Sequence, residues 1–100
     1  MIKNDNTGYA VVEYADFSIS LQRFNPLTGA RISELAYYPA SFGFFSGLEL
    51  SPDGRLYAGD VGLTTPGIRI YDTSVADLQI GTVPILGGLR PIDLLYIDPL

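Results

Sequence analysis

Turn signals interrupt this chain so often that no long helix fits between them. The 100 residues include 11 Gly and 7 Pro, and both residue types destabilise helix interiors and favour turns. No stretch of about a dozen residues keeps the apolar spacing of an amphipathic helix. The turn segments read NDNTG, NPLTG, SPDG, LTTPG, TSVAD and LGG. The sequence therefore predicts an all-β chain.

Short runs rich in β-branched and aromatic residues lie between these turns, and most show the alternation of half-buried strands. Apolar residues make up 47% of the chain and charged residues 17%, which is enough apolar material for one small core. The predicted strands cover residues 9–14, 18–24, 30–37, 47–51, 55–60, 67–72, 78–85 and 92–98.

The order of strands and turns repeats along the chain with an offset of 46 to 47 residues. The matched positions include Phe24 with Tyr71, Gly8 with Gly54, and residues 95–99 with residues 48–52. A period in the forties that contains four strands is typical of a β-propeller blade. The sequence therefore predicts one blade in residues 1–46, a second in residues 47–91, and the first strand of a third repeat in residues 92–100.

Residues 50–74, which contain LSPDGRLYAGD and GIRIYDTS, resemble the blade sequence of β-propeller repeat proteins. The similar families are the NHL, YVTN, gluconolactonase-like and WD-repeat kinds, in which SPDG ends one strand and an aromatic residue followed by Asp ends another. The chain has neither the Gly-His pair nor the Trp-Asp dipeptide of typical WD repeats. The resemblance implies an all-β fold of two four-stranded antiparallel propeller blades plus one extra strand.

Two blades do not close a propeller, because a ring contains about four to eight blades. We therefore expect the chain to complete a ring by homo-oligomerisation, head to tail, or to join further blades. Residues 92–98 are expected to pair, either within the chain or with a neighbouring subunit, whereas residues 1–5 are expected to be displaced. The alternative is a monomeric sandwich of two sheets that bury their apolar faces against each other.

Composition removes several classes of function. The chain has no His and no Cys, which excludes Ser-His-Asp and Cys-His nucleophiles, disulfides and ordinary zinc sites. Its formal net charge is -5 and its six basic residues form no run, so nucleic acid is not an expected partner. No apolar run approaches the roughly 18 to 20 residues that span a bilayer, so no membrane partner is expected. The cellular compartment stays undetermined.

The segment AYYPASFGFFSG, residues 36–47, holds five of the twelve aromatic residues. The blade pattern predicts that it links the first blade to the second on one face of the ring. Aromatic side chains in such a loop stack on sugar rings or anchor peptides. The alternative is that the Phe side chains fill space between the blades and that Tyr37 completes a strand. The candidate ligand-binding residues are Tyr37, Tyr38, Phe42 and Phe44.

Glu49, Asp60 and Asp93 are the candidate metal ligands. Gluconolactonase-like propellers hold a metal near the inner strand ends, and the resemblance implies that repeated carboxylates gather around the ring axis. Oxygen ligands of this kind suit calcium, and no other cofactor is expected. The alternative is that the chain's acidic residues cap turns or end strands in solvent.

The predicted function is that of a binding or scaffold module that engages protein or carbohydrate through aromatic loops on one face. Two alternatives stay open. One is a fragment of a metal-dependent lactonase or hydrolase propeller, and the other is an excised or engineered propeller fragment without its own ligand. No catalytic residue is identified, and an enzymatic role depends on the first alternative alone.

Overall fold

Two four-stranded antiparallel sheets make up the part of the chain that the structure describes. This computed structural model describes residues 1–4, 6–62 and 66–84. The first sheet has the order β1-β2-β3-β4 and the second sheet the order β5-β6-β7-β8. The strands are β1 Ile2–Asn4, β2 Thr7–Glu13, β3 Ile19–Phe24, β4 Arg31–Tyr38, β5 Gly43–Leu50, β6 Arg55–Gly62, β7 Gly67–Asp72 and β8 Leu78–Pro84. The predicted all-β architecture of two such sheets is confirmed.

The turn between β5 and β6 shows how local chemistry ends the strands. Its residues are Ser51-Pro52-Asp53-Gly54, and the amide of Gly54 donates to the carbonyl of Ser51 over 3.1 Å. Proline suits the second position of such a turn because its ring fixes φ, and glycine tolerates the left-handed φ of 87° at Gly54. The Ser51 hydroxyl also contacts the Asp53 carboxylate. Each polar residue of SPDG thus has a role in the turn.

The two sheets share one register, which establishes a structural repeat. Gly8 pairs with Phe24 between β2 and β3, and Leu56 pairs with Tyr71 between β6 and β7. From these two pairs onward, five consecutive residue pairs of β2 and β3 match five consecutive pairs of β6 and β7. The offset is 48 residues from β2 to β6 and 47 residues from β3 to β7. The sequence match of Gly8 with Gly54 is therefore two residues out of register, because Gly8 lies within β2 and Gly54 lies in a turn.

Three details differ from the sequence expectations or fall outside the described residues. Ile2–Asn4 pairs with β2, although residues 1–5 were expected to be displaced. The strand predicted at 47–51 begins at Gly43 instead, because Phe45 of this extension packs in the core. The strand predicted at 92–98 lies outside the described residues. Among those residues, no helix is long and apolar enough to cross a membrane.

The sheets pack face to face around one core. We call the packed sides the inner faces and the opposite sides the outer faces. Leu21 and Leu56 have no exposed surface, and burial of each such side chain contributes roughly 1.5–3 kcal/mol. The core residues are Tyr9, Ile19, Leu21 and Ala36 from the first sheet and Phe45, Leu56, Ala58 and Tyr71 from the second. This single core holds the two sheets together.

Antiparallel order sorts the connections to two ends of the molecule. The connections β2–β3, β4–β5 and β6–β7 lie at what we call the first end. The connections β1–β2, β3–β4, β5–β6 and β7–β8 lie at the second end. This division decides which loop residues can act together.

Candidate functional site

All exposed aromatic residues among those the structure describes lie at or near the first end. Tyr14 and Phe17 belong to the β2–β3 turn, Phe42 to the β4–β5 connection, and Tyr37 and Phe44 to the adjoining strand segments. The large apolar residues exposed at the second end, such as Leu27 and Val75, are aliphatic. We call the five aromatic residues the aromatic end, and its rings are the main candidates for ligand contacts.

Phe17 occupies a backbone conformation that does not suit a phenylalanine. The turn is closed by the Phe17 amide, which donates to the Tyr14 carbonyl over 2.9 Å, and Phe17 has a φ of 67°. Glycine or asparagine normally fills such a left-handed position, and another residue costs roughly 1–3 kcal/mol there. Because the side chain is 70% exposed, burial does not offset this cost. The folding of the described chain therefore does not explain a phenylalanine here.

Asp16 stabilises the same turn. Its Oδ1 accepts a hydrogen bond from the Ser18 hydroxyl over 2.5 Å and another from the Ser18 amide over 3.0 Å. These bonds hold the pKa of Asp16 below its usual value. A carboxylate that stays ionised and oriented beside exposed aromatic rings suits a binding surface as well as a turn.

Two open grooves reach the aromatic end. The larger, of about 670 Å³, lies on the outer side of the first sheet, and its size falls in the usual range for ligand pockets. The smaller, of about 320 Å³, runs between the β2–β3 turn and β5. The larger groove is lined by Tyr14, Ala15, Asp16, Ser18, Arg31, Glu34 and Tyr37. The smaller groove is lined by Glu13, Phe17, Ile19, Ser41, Gly43, Phe44 and Val61. Each groove combines aromatic rings with carboxylates.

The four sequence-predicted ligand residues divide between solvent and core. Only Phe42 lies in the β4–β5 connection itself, since Tyr37 and Tyr38 end β4 and Phe44 lies in β5. Tyr37, Phe42 and Phe44 are exposed, whereas Tyr38 packs against the core. Sequence reasoning missed Tyr14 and Phe17, although the alternation of connections places the β2–β3 turn beside the β4–β5 connection.

Tyr38 belongs to a polar cluster that joins the sheets at the first end. Its hydroxyl donates to Asp60 over 2.7 Å, and Arg69 donates to Asp60 over 2.6 Å and to the Tyr38 hydroxyl over 3.1 Å. The guanidinium also lies over the rings of Tyr38 and Phe45, at 5.5 and 5.4 Å from their centroids. Burial, together with the bond to Asp60, raises the pKa of Tyr38. We call these residues the Asp60 cluster, and it is built to hold the sheets.

A matching cluster joins the sheets at the second end. The Tyr9 hydroxyl donates to Asp77 over 2.7 Å, and Arg23 donates to the other oxygen of Asp77 over 3.3 Å. Arg23 also donates to the Thr7 hydroxyl over 3.2 Å. Burial, together with the bond to Asp77, raises the pKa of Tyr9 above its usual value. We call this group the Asp77 cluster.

The candidate metal ligands are not brought together by the described residues. Asp60 lies on the inner face with its oxygens bonded to Tyr38 and Arg69. Glu49 pairs in register with Tyr57 on the outer face of the second sheet, and Asp93 lies outside the described residues. In the described ranges, no group of three or more potential metal-ligating side chains is close enough to hold a metal ion. Glu49 and Asp60 therefore lie on opposite faces of the second sheet and do not form one site.

Comparison with known proteins adds no relative: no protein-family model, curated protein or solved structure matches this chain. The functional interpretation consequently depends on the residues and geometry of the chain itself.

Proposed function

We propose that this chain is a binding module whose aromatic end engages a carbohydrate. The observation that carries the proposal is the sorting of every exposed aromatic residue of the described chain to one end. Exposed phenylalanine at the strained position of residue 17 supports the same conclusion, because strain without a packing benefit is typical of functional loops. The ligand completes the burial that the rings lack.

The larger groove suits a sugar better than an apolar ligand. Tyr14 and Tyr37 offer ring faces for the C–H faces of a sugar, while Asp16, Glu34 and Arg31 offer acceptors and donors for its hydroxyl groups. This combination of flat rings and charged hydrogen-bonding groups matches the two chemistries that a pyranose presents.

Hydrogen bonds beneath this groove orient its lining. The Ser20 hydroxyl, which is fully buried, donates to Glu34 over 2.6 Å, and the Gln22 amide donates to the Tyr14 hydroxyl over 2.5 Å and to Ser20 over 3.1 Å. Supporting bonds of this kind pre-organise a binding surface and reduce the entropy lost on binding.

The two sheets, in our proposal, are two blades of a β-propeller that further blades or further copies complete. Their shared register and the repeat of 47 to 48 residues support this architecture. As a scaffold, such a unit presents one aromatic end for every two blades, because the repeat offset aligns Phe17 in the sequence with Thr64 and Thr65, which are not aromatic.

A protein ligand and an unliganded propeller fragment stay open as predictions. The lactonase alternative has no support from the described residues, since its candidate ligands Glu49 and Asp60 lie on opposite faces of the second sheet. We therefore propose a carbohydrate as the ligand. A chain that binds no glycan would contradict this proposal.

A glycan array followed by calorimetric titration of the strongest glycan tests the proposal. Tyr37→Ala and Tyr14→Ala should each weaken binding about 5- to 30-fold, since stacking rings and hydroxyl contacts contribute roughly 1–2 kcal/mol. Leu27→Ala, a change of an exposed apolar residue at the second end, is the control and should bind like the original chain. Failure of the original chain to bind any glycan would contradict the carbohydrate ligand, as would equal weakening by Leu27→Ala.

A further inference from the structure

The outer face of the first sheet repeats the inner face of the second sheet. The shared register places Ile2 where the second sheet has Leu50, Ala10 where it has Ala58, and Phe24 where it has Tyr71. In the second sheet these positions pack against the first sheet. In the first sheet Ile2 is exposed, while Ala10 and Phe24 are half-buried. One side of the first sheet thus keeps the apolar pattern of a packed face.

The converse also holds for the outer face of the second sheet. Tyr57, Ile68 and Val83 occupy the positions that Tyr9, Leu21 and Ala36 occupy on the inner face of the first sheet. Val83 is exposed, and Tyr57 and Ile68 are half-buried. The outer face of the first sheet therefore resembles the inner face of the second, and the outer face of the second resembles the inner face of the first.

We propose that the outer face of the second sheet of one copy docks on the outer face of the first sheet of another copy. This inference rests on the blade interpretation given above and specifies which surfaces meet. The intramolecular interface provides the template, because the same register brings the equivalent residues together. Each copy offers one face of each kind, so the contact is head to tail, and such contacts close into rings or continue as fibres.

The contact between copies differs from its template in charge. The positions of Asp60 and Arg69 are taken by Val12 and Gln22 on the first sheet, and that of Arg23 is taken by Ile70 on the second. The two ion pairs of the inner interface consequently have no equivalents in the contact between copies, whose charges come from other residues, such as Arg31 and Glu34 on the first sheet. Since each copy carries a net charge of -5, salt screens the repulsion between copies and strengthens their association.

The first sheet also offers a recess on its outer face. A groove of about 290 Å³ lies there, lined by residues that include Ala10, Val12, Gln22 and Phe24. Gly8 beneath it permits the close approach of the Phe24 ring, because a Cβ at Gly8 would lie 2.7 Å from Phe24. Gly8 and Ala10, which have little or no side chain, lie beside the Phe24 ring and leave a concave surface. In our proposal this surface accepts side chains from the second sheet of the next copy.

Light scattering coupled to size exclusion, over a wide concentration range, tests the inference with the full chain. We expect masses at multiples of 10.8 kDa that increase with protein concentration and with salt. Ile70→Lys on the outer face of the second sheet and Val12→Lys on that of the first should each yield a folded monomer. Leu27→Lys, an exposed change at the second end, should assemble like the original chain.

Mixing the two monomeric variants tests the head-to-tail geometry. Ile70→Lys keeps an intact first-sheet face and Val12→Lys keeps an intact second-sheet face, so an equimolar mixture should form a heterodimer that neither variant forms alone. Circular dichroism checks folding, and Val83→Lys on an exposed edge position replaces Ile70→Lys if the latter unfolds. An original chain that is folded but monomeric at every concentration overturns the proposal. This holds whatever else covers these faces. Assembly that either lysine variant leaves intact overturns it as well.

The larger groove lies on the same outer side of the first sheet as the recess and shares Arg31 with it, so docking of another copy covers it. The glycan array is therefore run on the monomeric Ile70→Lys variant, whose first-sheet face is intact and uncovered. A chain that binds glycan but never assembles overturns only the docking of copies. If the original chain assembles as described but the Ile70→Lys monomer binds no glycan, only the carbohydrate ligand is overturned.

Discussion

The Asp60 and Asp77 clusters use the same three residue types at opposite ends of one interface, yet they hold different parts of the molecule together. In the Asp60 cluster the ion pair lies within the second sheet, and only Tyr38 crosses from the first. In the Asp77 cluster both Tyr9 and Arg23 cross from the first sheet to one carboxylate in a turn. The Asp60 cluster therefore stabilises the second sheet and joins it to the first through Tyr38 alone, whereas both bonds of the Asp77 cluster stabilise the contact between the sheets.

The difference extends to the backbone that carries each aspartate. Asp60 lies in the middle of the second sheet on β6, where the strand conformation suits any residue. Asp77 and its neighbour Ala76 lie in the β7–β8 turn with φ of 55° and 51°, a conformation that usually requires glycine or asparagine. The hydrogen bonds from Tyr9 and Arg23 of the first sheet thus stabilise the strained β7–β8 turn of the second sheet.

The largest expected effect comes from Asp60→Ala. This change leaves the guanidinium of Arg69 partly buried without its carboxylate, and breaking such a pair lowers the free energy of unfolding by about 3–5 kcal/mol. Urea unfolding followed by circular dichroism measures it. Glu13→Ala, which removes an exposed carboxylate at the end of β2, is the control and should change stability little. Equal losses in the two variants would show that Asp60 has no special role.

Asp77→Ala should have the next largest effect, about 2–3 kcal/mol, because Tyr9 loses a hydrogen bond to a charged group. The Arg23 contact of 3.3 Å is longer and weaker than the 2.6 Å contact between Arg69 and Asp60. A double-mutant cycle with Tyr9→Phe should show positive coupling, since both changes remove the same bond. The cycle also distinguishes the clusters, because Asp60→Ala with Tyr9→Phe should be additive. A loss for Asp77→Ala that exceeds that of Asp60→Ala would reverse the comparison.

A smaller effect of opposite sign is expected from Ala76→Gly. Glycine adopts the left-handed φ of this position without strain, so the free energy of unfolding should rise by about 0.5–1 kcal/mol. Ala15→Gly, in a turn residue without positive φ, should lower it instead, because glycine increases the entropy of the unfolded chain. If both variants lose stability, the Ala76 backbone carries no strain.

The smallest effect is a dependence on alkaline pH. Burial and Asp77 raise the pKa of Tyr9 in the folded chain above its ordinary 10.0, and Tyr38 is shifted in the same direction. The stabilisation is complete below pH 10 and is lost as the pH rises further, because the unfolded chain then releases a proton that the folded chain retains. Unfolding titrations from neutral to alkaline pH should therefore show decreasing stability. Tyr9→Phe should reduce the loss of unfolding free energy between pH 10 and higher pH. An unchanged dependence on pH in this variant would contradict the role given to Tyr9.

Much of the strand pattern could be predicted from the sequence. Strands 18–24, 55–60 and 67–72 correspond closely to β3, β6 and β7, because period-two alternation and turn residues act within a few positions. The repeat was found too, although its offset at β2 was two residues out. Because side chains alternate with a period of two, an error of two residues keeps each residue on the correct face of the sheet. The error does change which residues are matched between the two repeats.

The candidate site could be predicted only in part. Phe42 and Phe44 were found because aromatics are conspicuous in a connection, but Tyr38 was placed among them although it faces Asp60. The direction of Tyr38 depends on where β4 ends and on a partner in the other sheet, and neither is visible locally. Phe17 was missed for the complementary reason, since its exposure and its positive φ exist only in the folded turn.

The sequence by itself determined that this chain forms short antiparallel strands with two unlike sides, because backbone preferences of Gly and Pro and side-chain alternation are local properties. Only the tertiary structure decided which side of each sheet is buried. Phe24 and Tyr71 are equivalent in the repeat, but Tyr71 packs in the core and Phe24 lies on an outer face. Alternation distinguishes the two sides of a strand, whereas burial depends on which sheet docks against which.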